Sequence, residues 1–296
     1  MSGDDTAYDQ QFGVKYRPAE AILRHPRFPQ ARATYVDRVM TLYGEDAFLN
    51  KLLMEAVRIV IFSVAICLDA AYREEDRGTW PIVANLKKAL AMFGLASPRR
   101  IEQVTARLVQ TGFLESRVSP IDRRARLLVP TARMIDHDCQ WLMAHYAPLA
   151  EMFGPDDFAL PLSGDLRFQQ VQRRVATDFF PQSAAVLLRN PDMMLFLARD
   201  AGVFVLVSLV QDSLERGTTE VPLSLSTLGT RFGVSRTHVR QLLGTASEQG
   251  LVTVDPSRRT IGLSPRLLAS LDRFIADSMS NHDLTGAAAR KELALA

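Results

Sequence analysis

The sequence predicts a mostly α-helical chain with two small β-hairpin wings, an α+β class in which one plan is written twice. Apolar residues recur at helical spacing along most of the 296 residues, and two β-rich, turn-bounded stretches stand near 113–130 and 251–263. A series of matched residues also repeats in order. Arg27-Phe28 returns as Arg167-Phe168, Phe62 as Phe204, Phe93-Gly94 as Phe232-Gly233, Ser97 as Ser235, Gly112 as Gly250 and Pro130 as Pro265, at offsets of 135 to 142. Nearly constant offsets point to an internal repeat. Residues 1–150 and 151–296 are therefore expected to form two domains, divided near 151–165, where MFGPDDFALPLSGD gathers acids, prolines and glycines.

Each half reads as a polar-faced helix (about 28–42; about 166–180) and then a long apolar helix (about 46–74; about 192–215). A shorter helix, a tight turn, another helix and a hairpin follow. The longest apolar runs, IVIFSVAICL (59–68) and GVFVLVSLV (202–210), fall far short of the roughly 20 residues that span a bilayer and read as core helices. LTGAAARKELALA (284–296) reads as a loose tail with at most a little helix.

The chain is 47% hydrophobic and 23% charged, enough for a real core. A formal net charge of +2 excludes a uniformly basic coat for nucleic acid but allows local basic patches. Cys67 and Cys139 give no disulfide framework and fit a reducing compartment. The opening MSGDDTAYDQQFG has neither a basic nor an apolar leader region, so a cytoplasmic protein without membrane attachment is expected. No GxSxG, HExxH, P-loop or GxGxxG is found, so no enzyme and no cofactor is predicted. The run DHDC (136–139) with His145 matches no standard zinc spacing, and no metal site is assigned. Tyr8, Tyr16, Tyr35 and Tyr43 read equally well as pocket lining or as core.

Function is written in LSTLGTRFGVSRTHVRQLLGTASEQGLVTVDPSRRTIGLSP (225–265). Ser226 is expected to cap a short helix ending at Gly233, and Ser235 to cap a second over 236–249. Val239, Leu242, Leu243 and Ala246 turn inward at helical spacing. Arg236, Thr237, His238, Arg240 and Gln241 turn outward. LVTV and TIGL flank a DPSRR turn carrying Arg258 and Arg259. This is the layout of a winged helix-turn-helix, whose second helix brings its N-terminal side chains to major-groove base edges.

The first half repeats it in LKKALAMFGLASPRRIEQVTARLVQTGFLESRVSPIDRRARLLVPTARM (86–134). Ser97 caps, Pro98 takes the first helical position, and Ile101, Val104 and Leu108 face the core. Arg99, Arg100, Gln103 and Arg107 lie on the other side, and a hairpin carries Arg123, Arg124 and Arg126 at its tip. An arginine-bearing tip suits a minor groove, where the negative potential is strongest. Residues 97–133 hold eight arginines against three acids, and 231–273 hold seven against three, whereas 1–96 are balanced.

The run from Ser97 to Arg133, above all Asp122-Arg123-Arg124 followed by an apolar strand and Pro130-Thr131, resembles the MarR family of transcriptional regulators. The resemblance covers about 90 residues of the first half. It implies that Asp122 orients an adjacent arginine, Arg124 or else Arg123, that inserts into the minor groove. This chain is about twice as long as a MarR subunit, its second wing lacks the acid-arginine turn, and the GLA before Ser97 is longer than the single Val234 before Ser235. The expectation is a sequence-specific double-stranded DNA-binding transcriptional regulator of bacterial type, acting as a pseudo-dimer or pairing with a second copy, with no effector ligand legible. A winged-helix protein-interaction or assembly factor is the alternative, and a plasmid-type replication initiator a third.

Overall fold

A computed structural model describes residues 5–44, 52–53 and 55–295. Among the described residues the chain is mostly helical with three small antiparallel sheets, the α+β class that the sequence predicts. A short hairpin, β1 (Ala7–Asp9) and β2 (Val14–Tyr16), leads into α1 (Ala19–Arg24) and α2 (Phe28–Gly44). The apolar α3 (Ala56–Ala70) follows, then α4 (Val83–Ala91), α5 (Pro98–Gln110), the hairpin β3 (Leu114–Val118) and β4 (Arg126–Pro130), and the long α6 (Ala132–Phe153). Of the helix expected over 46–74, residues 46–51 and 54 lie outside the described residues.

The second half opens with α7 (Ala159–Leu162) and α8 (Leu166–Ala176), then α9 (Phe180–Arg189), α10 (Pro191–Leu197) and α11 (Gly202–Arg216). Strand β5 (Glu220–Pro222), α12 (Leu225–Phe232), α13 (Arg236–Glu248), β6 (Val252–Asp255), β7 (Thr260–Leu263) and α14 (Pro265–Leu295) complete it.

The expected landmarks recur with matching local geometry. Gly94 and Gly233, at φ 63° and 66°, and Gly112 and Gly250, at 75° and 71°, all stop helices in the left-handed region that glycine enters without steric cost. The amide of Phe113 donates to Leu108 and that of Leu251 to Ala246, both at 2.9 Å. Thr131 caps α6 through the Met134 amide, and Ser264 caps α14 through that of Leu267.

Packing between the halves is reciprocal. Within each half the first long helix lies on the last, α2 on α6 and α8 on α14. The apolar helices cross over: α3 packs on α8 of the second half, and α11 packs on α2 of the first. Buried residues from both halves form one contiguous cluster, from Ile22 and Phe62 through Tyr146 and Phe204 to Ile275. Helices α6 and α14 meet through two histidines at corresponding places. The His145 and His282 rings stack 4.9 Å apart, and each Nδ1 lies 2.8 Å from the carbonyl oxygen four residues earlier.

Burial pushes the His282 imidazole down to about 4 and lowers that of His145 well below its ordinary value, so both stay neutral in the fold. Below pH 6.5 the unfolded chain takes up protons that the folded one refuses, so this contribution is lost as pH falls. Relative to a His282→Phe variant, the parent is expected to lose about 3 kcal/mol of stability between pH 6.5 and 4, one pKa unit being worth about 1.4 kcal/mol. Denaturant unfolding of both proteins across that range measures the difference.

Three expectations need correction. The helix expected over 192–215 is two, α10 and α11, bent by 110°. Ala201 takes φ 56°, and a Cβ on Gly202 would stand 2.2 Å from the Phe196 carbonyl oxygen, so the corner closes only around glycine. Residues 284–295 are not a loose tail but the last turns of α14, with Leu284, Thr285, Gly286, Ala288 and Ala289 buried. A Cβ on Gly286 would lie 2.6 Å from the Tyr146 Oη, which itself donates to the His282 carbonyl at 2.8 Å. Their small side chains read as low hydrophobicity in sequence but serve close packing in space. Ser224, not Ser226, caps α12, accepting from the Thr227 amide. Among the described residues no single helix is long and apolar enough to cross a membrane.

Candidate nucleic-acid interface

In the first half, α4, a turn through Gly94 and α5 are followed by the β3–β4 ladder, in register from Leu114 opposite Pro130 to Val118 opposite Arg126. Ser97 sits at the cap of α5 with φ −69° and ψ 155°, and its Oγ accepts from the Arg100 amide at 3.2 Å. Ile101, Val104, Thr105 and Leu108 are buried, which fixes the opposite face outward. Arg99, Gln103 and Arg107 are exposed there. Arg100, expected among them, turns back to pair with Glu55, the residue that precedes α3. It joins α5 to the residue just before α3 instead of reaching outward.

At the hairpin tip the Asp122 Oδ1 accepts from the Arg124 amide at 3.0 Å, while its Oδ2 takes the Arg77 guanidinium at 2.7 Å. Asp122 therefore shapes the turn through the backbone and is paired with Arg77, and among the described residues it makes no ion pair with Arg123, Arg124 or Arg126. Arg123, Arg124 and Arg126 are exposed. Val118 and Ile121 beside them are also exposed, at 46% and 58%.

The second half carries an extra strand that the sequence did not reveal. β5 pairs with β7, giving the order β5-β7-β6 in place of a plain hairpin. In the first half a single hydrogen bond, Leu128 amide to Pro81 carbonyl at 2.7 Å, stands where that strand would be. Ser235 caps α13 and accepts from the His238 amide at 3.0 Å, with φ −72° and ψ 150°, close to the values of Ser97. Gly229 admits the turn: a Cβ there would lie 2.8 Å from the Val234 carbonyl oxygen.

On the outward side of α13, Arg236, Thr237, Arg240 and Gln241 are exposed. His238 is half-buried, and its Nε2 lies 2.8 Å from the Asp200 carbonyl oxygen, so the α10–α11 corner holds it. The second tip does have an ordering acid. The Asp255 Oδ1 accepts from the Ser257 and Arg258 amides at 2.9 and 3.1 Å, and Arg258 pairs with its Oδ2 at 3.7 Å. The Ser257 hydroxyl, which donates to the same Oδ1 at 2.6 Å, and then these amides hold the carboxyl of Asp255 below the usual range. Arg259 occupies the left-handed region at φ 54°, its carbonyl fixed by the Leu223 amide, and its side chain is exposed.

The sequence reading missed Glu55, Arg77 and the Asp200 carbonyl, each 38 to 45 residues from its partner and beyond any local pattern. Asp255 had a local signal, an acid two and three residues before donors in a turn. Among the described residues, Arg99, Arg107, Arg123, Arg124, Arg126, Arg236, Arg240 and Arg259 make no ion pair. The DHDC acid Asp138 is taken up by Arg173 inside the core. Burial raises the thiols of Cys67 and Cys139 to about 12 and about 11, which makes both poor nucleophiles. Comparison with protein-family models, with curated proteins and with solved structures found no match to this chain.

Proposed function

We propose that this chain is a sequence-specific double-stranded DNA-binding transcriptional regulator, with two winged helix-turn-helix units that use α5 and α13 as reading helices. The observation that carries the reading is the set of eight exposed arginines without ion pairs, divided between two helix-and-hairpin units of like geometry. Such charges are held in solvent at no gain to the fold, and guanidinium groups suit guanine edges and narrow grooves. The crossed packing of α3 and α11 supports one chain as the counterpart of a dimer. Arg99 and Gln103 on α5 correspond to Thr237 and Gln241 on α13, so two unlike half-sites are expected.

DNA fragments selected from a genomic pool by the purified protein supply the test ligand. Replacing Arg123, Arg124, Arg258 and Arg259 by alanine is expected to weaken binding at least 100-fold with thermal unfolding unchanged. It should also lower the slope of log affinity against log salt by roughly 3, because fewer counterions are released. A flat salt response of the parent would reject the proposal. The exposed Val118 and Ile121 favour a second reading, a winged-helix unit that grips a protein partner. In that case the alanine variant would keep its partner, and the parent would select no DNA.

A further inference from the structure

Strand β3 pairs with β4 along one edge, and among the described residues no strand covers its other edge. The hairpin fixes which backbone groups face that open side. The Ser119 amide donates to the Ala125 carbonyl at 3.0 Å, and the Thr131 amide to the Phe113 carbonyl at 2.9 Å. Both belong to pairs in the β3–β4 register that hold an odd-numbered residue of the first strand. Bonded and non-bonded pairs alternate in an antiparallel ladder, so the amides and carbonyls of Leu114, Ser116 and Val118 point away from β4. After Leu114 every residue of β3 is exposed, on both faces.

An open edge is a template for another strand, and this one is complementary to itself. Let two copies run antiparallel with Ser116 opposite the partner's Ser116. Leu114 then stands opposite the partner's Val118, and Glu115 opposite the partner's Arg117. The parity agrees with the ladder, because the residues with outward backbone groups fall in the bonded pairs. Glu115 and Arg117 fall in the non-bonded pairs, where side chains come closest and opposite charges are favourable. Within one copy these two already share a face, Arg117 pairing with Glu115 at 2.7 Å, and so can exchange partners. Registers centred on Leu114 or Val118 shorten the ladder and bring no opposite charges together.

The second wing lacks these features. An offset of 138 places Thr253, Val254, Asp255 and Pro256 where the first wing has Glu115, Ser116, Arg117 and Val118. The same pairing would set Thr253 against the partner's Asp255, and Pro256 has no amide to donate at an outward position. A proline there is an ordinary way to close an edge. No proline stands between Leu114 and Val118.

We propose that two copies of this chain associate through the open edge of β3, forming one sheet in the order β4-β3-β3-β4 in which Val118 lies against the partner's Leu114. The inference stands apart from the DNA binding proposed above.

An edge of five residues is too short to bury the roughly 1,000 Å² of a stable interface, so a weak, reversible dimer is expected. Sedimentation of the full chain from about 5 to about 500 µM covers the range of such an equilibrium. Glu115→Arg or Arg117→Glu alone sets like charges against each other and is expected to weaken self-association at least tenfold. Mixing the two variants restores both opposite-charge pairs, and the mixture is expected to associate at least tenfold more tightly than either alone. The swapped double variant, Glu115→Arg with Arg117→Glu, is expected to match the parent within threefold, and it carries the test if a single variant fails to fold. Ser116→Pro removes an amide that β4 does not use. It is expected to weaken the dimer at least tenfold while thermal unfolding stays within a few degrees of the parent. A parent that remains monomeric throughout, or a mixture no tighter than its components, overturns the proposal. So does a Ser116→Pro variant that associates as the parent does. None of these readouts involves DNA, so failure of the proposed function and failure of this interface are told apart.

Discussion

Asp138→Ala is expected to cost about 3–5 kcal/mol, the range for removing one partner of a buried ion pair. Asp138 and Arg173 are 1% and 5% exposed, and the carboxylate takes three donors: Gln169 Nε2 at 2.8 Å, Arg173 Nε at 2.8 Å and Arg173 Nη2 at 2.6 Å. Without it the guanidinium remains buried over the Trp141 ring, 5.2 Å from its centroid, with no counter-charge. The loss comes from a stranded charge rather than from a missing attraction, and this distinction can be measured. The double variant Asp138→Leu with Arg173→Met is expected to recover most of the stability that Asp138→Ala loses. Denaturant midpoints of the three proteins decide it, and a double variant no better than the single would refute the account.

Ending the chain after Asp283 is expected to lower stability by about 4 kcal/mol and the melting midpoint by roughly 10 °C, at a few degrees per kcal/mol for a chain of this size. Leu284 and Ala288 pack with Val14, Val175 and Phe179 in a small cluster of their own, and Ala289 belongs to the main core. The truncation also removes Lys291, whose Nζ donates to the carbonyls of Phe12 and Gly13 at 2.8 and 3.1 Å and holds the β1–β2 turn. The loss should appear both in thermal unfolding and in faster proteolysis of the first 16 residues. A truncated chain with an unchanged midpoint would show that these turns contribute nothing.

Local chemistry made the helix pairs α4–α5 and α12–α13 legible. A glycine with positive φ, a serine accepting from the third amide onward and an apolar stripe on the second helix each act within a few residues, so Gly94, Ser97, Gly233, Ser235 and Gly250 fell where expected. What depends on distant partners was not legible. The withdrawal of Arg100 to Glu55 and the restraint of His238 by Asp200 are contacts between elements far apart in sequence. The α10–α11 corner escaped notice because Arg199 and Asp200 carry no breaker, and the constraint lies in the contact of Gly202 with Phe196. The end of α14 was misjudged because alanine and glycine reveal their packing value only beside Tyr146.

The salt link from Arg17 to Asp283, at 3.0 Å, and the seating of α1 and β2 on α14 join segments 266 residues apart. A nascent chain leaving the ribosome therefore holds β2 and α1 without a mate until α14 has been made. Contacts of such long sequence separation close slowly, so the early segment stays exposed to proteases and chaperones during translation.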